Sequence, residues 1–221
     1  MIDFAAARRM MVDGQVRTAD VTDPRLLSAM LELPREQFFP EDKVSLAYLD
    51  LDAPVNETGL PVRRLLKPMV LAKLIQTVSL AETDHVLDVG CATGYSTAVL
   101  ARLARSVVGL EEDAALVRQA SGMLARAGVT NAKVVTGALV KGWPAEGPYD
   151  VILLEGATES VPQALVEQLK IGGRLACVLG RGQPGKAMIY RRAEGDFSGR
   201  AVFDAAAHLL PGFAKPQEFV F

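Results

Sequence analysis

Val86-Leu87-Asp88-Val89-Gly90-Cys91-Ala92-Thr93-Gly94-Tyr95 is the stretch that decides how this chain folds. A short apolar run closes on Gly90, and a helical pattern opens at Ser96, with Val99, Leu100 and Leu103 at helical spacing as far as Ala104. A strand that enters a glycine turn and leaves it as a helix is the first half of a βαβ unit. The pattern then repeats. Residues 107–110 read as a strand and 113–127 as a helix, with Asp113 as N-cap and Gly128 just past the end. Further strands are expected at 133–135, 149–154 and, after the Gly172-Gly173 turn, 174–179, with a helix at 161–169 between the last two. Strands alternating with helices imply a parallel sheet with right-handed crossovers, a doubly wound α/β fold. Residues 187–192 and 218–221 read as late strands on an antiparallel edge. Residues 1–80 carry helical patterns punctuated by prolines and read as a cap over the core, residues 81–221. That cap would lie on the carboxyl ends of the strands, where open α/β sheets bind ligands.

Composition narrows the class. The chain has 221 residues, 24 Lys+Arg against 26 Asp+Glu, and a formal net charge of −2. Its mean hydropathy is +0.20 and its pI about 5.8. That balance argues against a nucleic-acid partner, which calls for a basic excess. No apolar run approaches the ~18 residues of a membrane span, and the N-terminus lacks a basic stretch leading into an apolar one. Two cysteines, Cys91 and Cys177, make no disulfide framework, so a cytoplasmic setting is expected.

Three chemistries compete for the loop after Asp88. A P-loop needs Gly-Lys-Ser/Thr, and Gly185-Lys186-Ala187 lacks both the hydroxyl and the preceding glycine spacing. A dinucleotide fold wants glycines at 90, 92 and 95, where this chain has Gly90, Ala92 and Tyr95. Asp88 would also repel a pyrophosphate. S-adenosylmethionine suits the loop better. Its ammonium and sulfonium attract an acid at the strand tip, and its carboxylate can take amides at the helix start. Its two ribose hydroxyls suit Glu111, at the end of the second strand and 23 positions after Asp88, close to the ~20-residue spacing of an acid that grips a ribose. The blander account makes Glu111 and Glu112 solvated charges and the glycines a tight turn.

The chain resembles the protein-L-isoaspartate (D-aspartate) O-methyltransferase family over most of residues 10–180. The likeness is carried by Met11-Val12 and Gln15-Val16-Arg17, by Asp23-Pro24-Arg25-Leu26-Leu27 and Ala29-Met30, and by Pro34-Arg35-Glu36-Gln37-Phe38-Phe39-Pro40-Glu41. It continues in Ala47-Tyr48 and Asp50, the loop from Asp88 to Tyr95, Gly142-Trp143-Pro144, Tyr149-Asp150, and Gln168-Leu169-Lys170 with Gly172-Gly173-Arg174-Leu175. The resemblance implies a mostly parallel seven-stranded sheet of the S-adenosylmethionine-dependent methyltransferase type with an N-terminal helical cap. It implies methyl transfer from S-adenosylmethionine to a carboxylate of an altered aspartyl residue, so the partner is a protein or peptide substrate. The cofactor set it implies is Asp88, Gly90, Cys91, Ala92, Gly94, Glu111, Ala138, Leu139 and Glu155.

Two segments depart from the family. Its Gly-Gln-Thr-Ile-Ser segment, which faces the incoming carboxylate, falls on Val62-Arg63-Arg64-Leu65-Leu66, so the serine position is Leu66 and no catalytic residue is assigned. Its Gly-Asp-Gly, whose acid is expected at the adenine amino group, falls on Gly137-Ala138-Leu139. Two readings follow: a divergent methyltransferase, or a relative that binds the cofactor without repair activity or acts on another acceptor. In the first, Arg63, Arg64 or Lys67 steers the acceptor carboxylate, as guanidinium forks do. Glu155 stands where related sequences have threonine, beside the place of the cationic sulfur.

The remaining candidates are weaker. Cys91 at a helix start is a conceivable thiolate. His85 and His208 lack paired ligand spacing, so no metal site is expected. Trp143 reads as a packing anchor, Asp150 as a holder of backbone at the strand entrance, and Arg191-Arg192 as charges blunting an exposed edge. The sequence leaves the oligomeric state open.

Overall fold

The computed structural model describes residues 3–56, 62–180 and 185–215. The N-terminal third is helical: α1 (Phe4–Met11), α2 (Pro24–Glu32) and α3 (Pro68–Val78), with a π-helical turn at Val12–Val16 and short 3₁₀ turns between them. Asp3 and Asp23 cap the first two helices, each accepting a backbone N–H of the first turn, and Pro24 and Pro68 sit at helix starts where no amide is missed. A two-residue hairpin, β1 (Ala53–Pro54) and β2 (Arg64–Leu65), precedes α3.

The core strands are β3 (His85–Val89), β4 (Ser106–Glu111), β5 (Ala132–Thr136), β6 (Tyr149–Thr158), β7 (Leu169–Leu179), β8 (Lys186–Ala193) and β9 (Asp196–Asp204). Between them run α4 (Tyr95–Ala101), α5 (Ala114–Arg126) and α6 (Gln163–Glu167). The sheet order is β5-β4-β3-β6-β7-β8-β9; the first five strands are parallel and β8 and β9 antiparallel. The chain winds outward from β3 to β5, then returns to the other side of β3 as β6. That reversal opens a crevice at the carboxyl ends of β3, β4 and β6.

Strand parity sorts the core into two faces. Val86, Val107, Val151 and Leu153 belong to a cluster shared with α2, α3 and α4. Leu87, Val89, Val108, Leu110, Ile152 and Leu154 belong to a second, closed by Leu165 of α6 and by Leu139, Leu210 and Phe213. Both faces are covered, which is why these strands read as unbroken apolar runs.

Several expectations need correction. The helix expected at 161–169 is only Gln163–Glu167, because β7 already begins at Leu169. Gly172-Gly173 lies within β7, where the pairing steps from Tyr149↔Leu169 to Val151↔Arg174 across a bulge. The outer strand is β9, set beside β8 by the Glu194-Gly195 turn, with Tyr190 and Phe197 stacked at 5.0 Å. The strand expected at 218–221 lies outside the described residues. With β9 in place, β8 is not an edge. Arg192 is not blunting one; its guanidinium donates to the carbonyls of Val166, Glu167 and Leu169, closing the end of α6.

Candidate active site

Parity also places the acids. Asp88 is two residues on from Val86, Glu111 four on from Val107, and Glu155 two on from Leu153, so all three emerge on the face shared with the N-terminal helices. Asp88 and Glu111 stand at the carboxyl ends of β3 and β4, Glu155 lies three residues before the end of β6, which runs on past the 149–154 expected, and each is buried. Glu155 sits in a second bulge, where the β6–β7 pairing jumps from Leu153↔Ala176 to Ala157↔Val178.

Asp88 Oδ2 accepts hydrogen bonds from Ser96 Oγ (2.8 Å) and Thr97 Oγ1 (2.6 Å). Its Oδ1 and the Oε1 of Glu155 are buried without a partner. Burial pushes the Asp88 carboxyl up to about 6, against the pull of those two hydroxyls. Glu155 is held well above the carboxylate range, first by burial and then by the Asp88 charge. Two such carboxyls ionise as a pair rather than independently. Glu111 is fully bonded. Its Oε2 accepts the Ala92 amide (2.9 Å) and its Oε1 the Glu112 amide (2.9 Å).

Sequence reasoning missed the cations among these acids. Arg63 is 1% exposed, and its side chain reaches Glu111. Nε lies 3.2 Å from each Glu111 oxygen, while Nη2 lies 3.0 Å from Oε2 and 2.8 Å from the Gly90 carbonyl. Arg35, also 1% exposed, donates to the carbonyls of Ala47 and Leu66, both at 2.8 Å, and lies 4.6 Å from the Tyr95 ring centroid. Two guanidinium groups among three carboxyls reach neutrality when Asp88 and Glu155 hold one proton between them.

The three basic residues expected at an acceptor carboxylate are not brought together. Arg63 points inward to Glu111. Arg64 donates to the Asp52 carbonyl (3.1 Å), and Lys67 opens α3 with its amide on Asp52 Oδ1 (2.9 Å). Leu66 is buried in the core, and its carbonyl serves Arg35. Of the loop residues, Ala92 adopts φ 49° and its amide is spent on Glu111. Cys91 is fully buried, and burial together with Asp88 and Glu111 pushes its thiol well up, so no reactive thiolate stands there. Leu139 packs beside Gly90 and Ala138 is exposed. His85 stacks on Tyr149, and Asp150 accepts the His85 amide at 2.8 Å, which is the backbone-holding role expected of it. Among the described residues no His/Cys/Asp/Glu group could hold a metal.

The family model of protein-L-isoaspartate(D-aspartate) O-methyltransferase (PCMT) matches residues 7–206. The chain belongs to this family. A relative from Rhodopseudomonas palustris, protein-L-isoaspartate O-methyltransferase 1, is 37% identical over 84% of this chain and 74% of its own length. The Methanoculleus marisnigri protein-L-isoaspartate O-methyltransferase is 37% identical over 78% of this chain and 77% of its own. A solved protein-L-isoaspartate O-methyltransferase superposes with TM-score 0.82 at 25% identity, over 93% of this chain and 66% of that one. A Plasmodium falciparum beta-aspartate methyltransferase, solved with S-adenosyl-L-homocysteine, shares the fold at TM-score 0.76 and 18% identity.

The family's cofactor can therefore be tested against these residues. The acids suit it: one at the strand tip for a cation, one at the end of β4 for vicinal hydroxyls. Over the loop glycines, however, the chain's own side chains stand close. Gly90 has φ +82°, a glycine conformation that lets a ligand approach the backbone. A Cβ built there would stand 2.7 Å from Arg63 Nη2 and 2.9 Å from Leu210 Cδ2. One built on Gly156 would stand 2.8 Å from the same leucine. Arg63 and Leu210 thus take up the space directly over Gly90, and Leu210 that over Gly156.

Proposed function

We propose that this chain transfers a methyl group from S-adenosylmethionine to a side-chain carboxylate of altered aspartyl residues in proteins. The observation that carries the reading is the set of buried acids Asp88, Glu111 and Glu155 around the Gly90 loop, in a chain of this family. The cofactor, when bound, supplies a methyl already activated on a cationic sulfur. The chain's own work is then alignment and exclusion of water. In this reading Asp88 takes the cationic group, Glu111 the paired hydroxyls, and Leu139 walls the loop. The reading keeps Arg64 and Lys67, on the segment leading into α3, as the residues that would attract an acidic acceptor.

The same proposal takes residues 1–80 as a cap on the core of 81–221, packed through the hydrophobic cluster that α2, α3 and α4 share with the sheet. It places the protein in the cytoplasm, in keeping with its two free buried cysteines. Among the described residues no helix is long and apolar enough to cross a membrane. A nucleic-acid substrate is not proposed, given the net charge of −2.

The test is methyl transfer from labelled S-adenosylmethionine to an isoaspartyl peptide, beside a direct titration with S-adenosylhomocysteine. Transfer with saturable binding supports the reading. Binding without transfer would leave a cofactor-binding relative with another acceptor, or none.

A further inference from the structure

We propose that Arg63 is a built-in competitor for the cofactor's ribose place, so that the chain binds the cofactor only when the segment carrying Arg63 withdraws. This rests on the reading of Glu111 as the ribose acid given above.

The guanidinium makes the contacts a ribose would want. It presents N–H donors to both Glu111 oxygens, as two vicinal hydroxyls would, and a further donor to the Gly90 carbonyl. Its fit is incomplete, because Arg63 Nη1 is buried without a partner. A buried donor left unbonded costs free energy, and a side chain that served only to neutralise Glu111 has no need to bear it. Near the loop, Thr93 Oγ1 and Asp88 Oδ1 are likewise buried and unbonded. The cradle thus holds more polar capacity than its present occupant uses.

Arg63 is also held in place by its backbone. Its amide donates to Asn56 Oδ1 (2.7 Å), and its carbonyl accepts the Val55 amide (3.0 Å). The second filler, Leu210, follows His208 on a separate segment. Asp52 joins the two segments: its Oδ1 accepts the Lys67 amide, and its Oδ2 accepts the His208 amide (3.3 Å) with the His208 ring 3.6 Å away. Arginine plug, leucine plug and the residue between them form one assembly over the loop. Opening it uncovers Gly90, Gly156 and Glu111 together.

A site that must first expel its own occupant binds more weakly by the fraction of time it stands open. With the plug inserted in most molecules, removing it tightens binding on the order of ten- to a hundredfold. The experiment is calorimetric titration with S-adenosylhomocysteine of the full chain, of Arg63→Ala, and of Leu210→Ala. The leucine variant thins the plug without stranding a buried charge, so it decides the matter should Arg63→Ala fail to fold by circular dichroism. The expected result is tighter binding by both variants, with the larger gain for Arg63→Ala, and a larger ligand-induced rise in Tm for each than for the parent chain. Equal binding by the parent and the folded variants would overturn the plug while leaving cofactor use intact. Weaker binding by both would instead make Arg63 and Leu210 supports of the site, and would also overturn it. Failure of all three chains to bind would remove the cofactor reading and this proposal together.

Discussion

Asp88 and Glu155 lie toward the carboxyl ends of neighbouring parallel strands, on the same face of the sheet, and each has a carboxyl oxygen buried with no partner. Burial raises Asp88 to about 6 and lifts Glu155 well above its ordinary value. For a carboxyl whose folded pKa is raised, the sign is fixed. Below the unfolded value of about 4 both states hold the proton and nothing is lost. Between about pH 4 and 6 the unfolded state ionises while the desolvated native carboxyl keeps its proton, so stability falls, and the loss is complete once the native group has ionised too. For Asp88 by itself the loss is about 3 kcal/mol.

Glu155→Gln is therefore expected to stabilise the protein at neutral pH by about 1–3 kcal/mol. It removes the like charge and offers an amide donor to the unpaired Asp88 oxygen. The stability profile between pH 4.5 and 7.5 should flatten in the variant, as measured by urea unfolding across that range. A slope as steep as the parent's would show that the two carboxyls do not share a proton.

Asp52 titrates in the opposite sense. Burial raises its carboxyl, but hydrogen bonding to His208 and to the Lys67 amide outweighs burial and leaves it below the ordinary range. Its stabilisation is complete above about pH 4 and disappears as pH falls through the lowered value. Asp52→Ala should cost about 2 kcal/mol at pH 7, since it strands two backbone donors. The gap between variant and parent should narrow in acid denaturation below pH 4; a gap constant to pH 2 would count against the assignment.

Among the described residues no carboxylate hydrogen-bonds Arg35, and burial lowers its pKa. It is held by two carbonyls and by the faces of Tyr95 and Phe39, at 4.6 and 5.6 Å. Arg35→Met should cost about 2–4 kcal/mol in chemical unfolding, because the carbonyls of Ala47 and Leu66 lose their donors. Arg35→Lys should recover little of this, since a lysine cannot reach two carbonyls while lying flat on a ring.

Gly90→Ala should destabilise by about 2 kcal/mol or more. It places a methyl against Arg63 Nη2 and Leu210 in a backbone conformation unfavourable for alanine. Adding Leu210→Ala should relieve part of that cost, which thermal melts of the single and double variants would show; strict additivity would place the two groups out of contact.

Much of this was legible in the chain because local pattern carried it. β3, β4 and β6 are apolar runs covered on both faces, and Asp88 and Glu111 follow from the glycine loop and a spacing typical of βαβ units. The outer strand β9 escaped because most of its residues are exposed and its pattern is polar, although Glu194-Gly195 signals the turn before it. The bulge at Glu155 depends on pairing with β7, which no local pattern encodes. The pairing of Arg63 with Glu111 joins positions 48 apart and was equally invisible: a basic loop residue beside a helix reads as solvated until the fold closes over it.

The two cysteines give the chain a pair of internal clocks for opening. Cys91 lies beneath the loop, its Sγ 3.1 Å from where a Cβ on Gly109 would stand, and Cys177 lies inside β7, its thiol pushed up to about 12 by burial. An alkylating reagent reaches the first when the loop lifts away and the second only when the central strands part. The ratio of the two labelling rates thus separates local breathing of the cradle from global unfolding, with no introduced probe.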